Sequence, residues 1–62
     1  MNITELLQFA ADLCNSAEEY EKLGCMEYAE MMEAEVDNIT AEIAVKTGHT
    51  ISYVTFQIEE LL

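Results

Sequence analysis

Residues 22–48, KLGCMEYAEMMEAEVDNITAEIAVKTG, decide the reading of this chain. At each end a lysine stands two places before a glycine, in Lys22-Leu23-Gly24 and Lys46-Thr47-Gly48. A cation in the last turn offsets the negative end of a helix dipole, and a glycine just beyond it takes the left-handed conformation that closes the helix. Between these two stops Cys25, Ala29, Met32, Val36, Ile39 and Ile43 recur in 4-3-4-3-4 steps. That spacing is the seam of a long helix lying against another helix. Gly24 and Gly48 are the only glycines and proline is absent, so the chain divides into 1–23, 25–47 and 49–62 with no flexible linker.

The first segment opens with Asn2 and Glu5, spaced as a capping box. Ile3, Leu7, Ala10, Cys14 and Ala17 then form one helical stripe, and Leu6, Phe9, Leu13 and Tyr20 form a second beside it. Two adjoining stripes make an apolar arc wider than one antiparallel neighbour covers. Only Leu23-Gly24 turns the chain before the next helix, so the first two helices should form an antiparallel hairpin. The third segment admits two readings. Ile51, Val54, Ile58 and Leu61 fit a helix capped by Thr50 or Ser52, whereas residues 51–56 are also rich in strand formers. A lone strand would have no partner unless two subunits paired, so helix is preferred. The expectation is an all-α single domain over 1–62, with helices at about 3–22 and 25–46, a shorter one at about 50–62, and a dimeric assembly.

Thirteen acidic residues face two lysines and no arginine, a formal charge of −11 in 62 residues, yet 52% of the chain is apolar. A disordered acidic tail lacks such apolar content. Solubility alone asks for less charge than this, and self-repulsion opposes folding, so the negative field is expected to have a use. A chain this short buries a marginal core and normally gains from a disulfide, a metal or association. Cys14 and Cys25 do not form a C-x-x-C pair, and with His49 they show no zinc-ligand spacing. They read as small buried hydrophobes in a reducing cytosol, which leaves association as the expected source of extra burial. No cofactor is expected. The N-terminal residues have no basic region typical of a signal peptide, no apolar run spans a bilayer, and anionic lipid would repel the surface. The expected location is cytoplasmic, without membrane binding.

Nine of the thirteen acids fall in residues 18–42. Glu27, Glu30 and Asp37 share a ridge of the second helix with Glu33 beside them, and Glu35 and Glu42 lie on the same helix. Like charges at three- and four-residue spacing repel, with Cβ atoms about 5–6 Å apart. Such a row imitates the phosphates of a nucleic-acid backbone and suits a basic groove on another protein. The plainer reading is a solvated helix face, although such a face would ordinarily carry lysine and arginine as well. Phe9, Met26, Tyr28, Met31, Val45, Tyr53 and Phe56 exceed what one small helical unit can enclose. The second stripe (Leu6, Phe9, Leu13 and Tyr20) is therefore the expected self-association surface, completing a four-helix bundle. Tyr28 and Met31 are candidate anchors for a partner.

Ala44, Gly48, Val54, Ile58 and Leu61 carry a resemblance to the helix-turn-helix of winged-helix repressors. The resemblance covers about a third of the chain. It implies that residues 42–48 are a supporting helix and turn, that residues 51–62 are a recognition helix, and that the activity is transcription regulation. This segment departs from the family in having no cation after Lys46 and in carrying Glu59-Glu60, where the family uses basic and polar residues on DNA. Direct nucleic-acid binding is not expected from so acidic a chain.

Catalysis has no support: His49 is the single histidine, at a helix end, and no phosphate loop or nucleophile motif is present. The function expected from these residues is non-enzymatic. An acidic inhibitor or modulator, of the kind that phages and mobile elements encode, would occupy the basic groove of a nucleic-acid-handling protein. The alternatives are a helix-turn-helix transcription regulator and a structural homo-oligomerisation module.

Overall fold

Both glycine stops act as read. In the computed structural model, which describes residues 1–62, α1 spans Ile3–Lys22, α2 spans Met26–Thr47 and α3 spans Ile51–Glu60. Asn2 caps α1: its Oδ1 accepts the Glu5 backbone N–H at 2.8 Å, and Glu5 Oε1 accepts the Asn2 N–H at 3.4 Å. α1 ends in a Schellman motif. Gly24 sits at φ +81°, the Cys25 N–H donates to the Tyr20 carbonyl at 2.8 Å, and the Gly24 N–H donates to Glu21 at 3.0 Å. α2 ends in the simpler left-handed cap, with Gly48 at φ +73° donating to the Ala44 carbonyl at 2.9 Å.

The ambiguous third segment is a helix, begun by Thr50, whose Oγ1 accepts the Tyr53 N–H at 3.1 Å. Strand propensity at residues 51–56 loses because Val54 and Ile58 reach the core while Phe56, which a strand would place on the same face, stays exposed. The long helices α1 and α2 pack along each other as a hairpin and α3 closes one side, within 36 × 21 × 17 Å.

Leu6, Ala10, Ala11, Ile39, Ile43, Ala44, Val54 and Ile58 form the core shared by the three helices, and Ala17 and Ala29 are buried nearer the hairpin turn. Half of these ten are alanines, which let the helix axes approach but bury little area each. Ile43 and Val54 are the largest side chains wholly enclosed. Thr40 is the one buried polar residue, and its hydroxyl donates to the Val36 carbonyl at 2.7 Å.

Two expectations need correction. Cys25 is neither the first seam residue nor buried: it is the exposed N-cap of α2, because the Schellman turn holds it outside the helix. Cys14 is only half-buried. Between α2 and α3, the His49 ring lies 4.5 Å from that of Tyr53, on α3.

Candidate functional site

All six expected partner-binding carboxylates, Glu27, Glu30, Glu33, Glu35, Asp37 and Glu42, are exposed on α2. They do not form one surface. At about 100° per residue, Glu35 lies about 200° around the helix from Asp37. Glu42 falls beside Glu35 and is held by Lys46, Oε2 to Nζ at 3.5 Å. Glu30, Glu33 and Asp37 make the other flank, within about 60° of one another, and Glu27 adjoins it about 60° beyond Glu30.

That flank gathers acids from the neighbouring helices. Glu33 interacts with Glu21 of α1 across the hairpin, and this hydrogen bond is the first cause that pushes the Glu33 carboxyl above the usual carboxylate range. Desolvation and the negative charges of Glu21, Glu30 and Asp37 push the same way. Cys14 senses the same field. Burial raises its thiol pKa first, and Glu33, Asp37 and Glu59 of α3 add to the rise. Five carboxylates from three helices (Glu21, Glu30, Glu33, Asp37 and Glu59) thus belong to one electrostatic neighbourhood.

Sequence reasoning placed neither Glu21 nor Glu59 here. Glu21 had a signal, since it is the next step of the stripe Ile3, Leu7, Ala10, Cys14, Ala17 that faces the other helices. Glu59 had none, because its position depends on how α3 docks. The two lysines do not relieve this flank. Lys22 Nζ lies 3.8 Å from Glu18 Oε1, and Lys46 is with Glu42. No group of three or more His, Cys, Asp or Glu side chains is placed to hold a metal ion.

The residues expected for self-association separate by depth. Leu6 lies in the core of its own chain, 6% exposed, because it sits where α1 meets both other helices. Phe9 is 40% exposed, while Leu13 and Tyr20 are half-buried. The Tyr20 ring leans on Tyr28 of α2, with centroids 5.5 Å apart. All seven apolar residues counted as surplus are exposed, from Phe9 to Val45 at 84%.

The α2–α3 corner carries the helix-turn-helix spacing: Ala44, Val54 and Ile58 are buried around the Gly48 turn, while Leu61 is 46% exposed. The exposed face of α3 presents Tyr53, Phe56, Glu59 and Glu60, with no cation. No helix is long and apolar enough to cross a membrane. Comparison of the chain with known protein families, curated proteins and solved structures finds no match.

Proposed function

We propose that this protein binds, without catalysis, a basic protein that handles nucleic acid, and that it does so in the cytoplasm by presenting carboxylates where the partner expects phosphates. The observation that carries this reading is the cation-free acidic flank of Glu27, Glu30, Glu33 and Asp37, extended by Glu21 and Glu59. Holding Glu21 close enough to Glu33 to raise its pKa opposes stability, as like charges do. A merely solvated face would relieve such crowding with interspersed lysines. A partner groove lined with lysine and arginine gains from the same field, chiefly in association rate and in selection against acidic competitors.

The test is retention on the immobilised protein followed by elution with a short random DNA duplex. A phosphate-imitating surface requires that the retained protein be released by duplex DNA and by raised salt, because the two ligands compete for one groove. Retention indifferent to both, or no retention, contradicts it.

A further inference from the structure

α2 carries heptad spacing on two opposite sides. The inner seam faces the hairpin: Ala29, Ile39 and Ile43 are buried, with Met32 and Val36 half-buried. Met31, Ala34, Asn38, Ala41 and Val45 repeat the same alternation of three- and four-residue steps. These five fall within an arc of about 80°, roughly opposite Ala29, Ile39 and Ile43. All are exposed, Met31 at 67% and Val45 at 84%, and none is charged.

The positions bordering this outer strip are acidic on both sides. With Met31, Asn38 and Val45 as a positions and Ala34 and Ala41 as d positions, Glu35 and Glu42 fall at e. Glu30 and Asp37 fall at g, and all four carboxylates are exposed. In paired helices the a and d residues make the contact, while charges at e and g choose the partner.

Resting on the reading that α2 recruits a basic protein, we propose that the wall of the partner's groove meeting this face is an amphipathic helix. It carries a bulky apolar seam with lysine or arginine along both borders. Charge selects this occupant. A second copy would set Glu30, Glu35, Asp37 and Glu42 against one another whichever way the two helices ran, whereas basic borders answer all four. Lys46 holds Glu42 only through an exposed contact at 3.5 Å, and pairs of that kind are weak enough to exchange. The small residues agree with a bulky seam opposite. Ala34 and Ala41 leave room for large side chains, and the separation of packed helices is set by the side chains at the contact. Asn38, at the central a position, fixes register against a polar residue of the partner. A helix face that only imitated phosphates needs no uncharged strip between its carboxylates.

Two synthetic peptides of equal composition test this on the full chain. One has leucine at a and d, a single central asparagine at a, and lysine at e and g. The other has the same residues in an order without a seam. Fluorescence anisotropy at physiological salt should show the patterned peptide binding at least about tenfold more tightly, since one buried aliphatic side chain contributes about that factor. Met31→Glu combined with Val45→Glu changes two exposed positions and should retain helical circular dichroism. It adds negative charge, so capture by charge alone would strengthen, yet docking on the seam predicts about a tenfold or greater loss for the patterned peptide. The two-peptide comparison on the wild-type chain keeps the test decisive if the double variant fails to fold. Equal binding of both peptides overturns the seam while leaving recruitment of basic proteins by charge intact. Binding of neither overturns the seam and that reading together. Undiminished binding by the folded double variant overturns the seam, and so does a wild-type dimer that this variant abolishes.

Discussion

Glu33 and Cys14 are two readouts of one field. A carboxyl whose pKa is higher in the folded state than in the unfolded state favours folding when protonated. The gain is present in full below the unfolded value and disappears as pH rises through the folded one. For Glu33, raised first by Glu21, the melting temperature should therefore climb as pH falls from neutral toward the upper carboxylate range. Glu33→Gln should melt higher than wild type at pH 7 and climb less on acidification. Parallel melting curves for the two proteins would show that Glu21 does not crowd Glu33. Thiol labelling reads the same field independently. Thiolate is the reactive form, and burial together with Glu33, Asp37 and Glu59 raises the Cys14 pKa. Cys25, exposed at the hairpin turn, should be alkylated well before Cys14 at neutral pH. Equal rates would place Cys14 outside the acidic neighbourhood.

The helices themselves were largely legible because their signals are local. Asn2 with Glu5, and the two lysine–glycine stops, lie within a few residues of the groups that they satisfy. Gly48 offers a direct check. No atom lies within 4 Å of the site where a Cβ would stand, so Gly48→Ala carries only the left-handed backbone penalty, about 1–2 kcal/mol. That loss should appear as a lowered denaturant midpoint with an unchanged slope. An unchanged midpoint would mean that the α2–α3 turn does not require positive φ. Ile43→Ala should cost more, about 2–5 kcal/mol for an enclosed aliphatic side chain, enough to abolish cooperative unfolding in a chain this small. Legibility failed where the outcome depended on docking. The inward stripe of α1 reveals Ile3, Leu7 and Ala10, but not that Ala11 is buried as well, because only the position of α3 decides it. Ridge spacing groups Glu27, Glu30 and Asp37, yet the contribution of Glu59 follows from the same docking. Cys25 was misplaced for a local reason, since the Schellman turn excludes the residue after Gly24 from the next helix.

At the scale of the whole molecule, exposed apolar residues stand among the charge: α2 presents Met26, Tyr28, Met31 and Val45 with its carboxylates, and α3 presents Tyr53 and Phe56 with Glu59 and Glu60. The central claim is that the α2 flank, rather than net charge alone, engages a basic groove. Its most direct measurement compares partner retention by two variants of equal charge. One carries Glu27→Lys, Glu30→Lys and Asp37→Lys. The other carries Asp12→Lys, Glu18→Lys and Glu60→Lys, which spares Glu5 because that side chain closes the α1 cap. Loss of the exposed Glu18–Lys22 pair should matter little, as such pairs contribute about 0–1 kcal/mol. Both variants should remain helical, since the changed residues are all exposed. The α2 variant should also melt at or slightly above the wild-type temperature as like-charge repulsion is removed. The expected result is that the α2 variant loses retention of the DNA-releasable partner while the other retains most of it. Equal loss in both, or loss in neither, would contradict the claim.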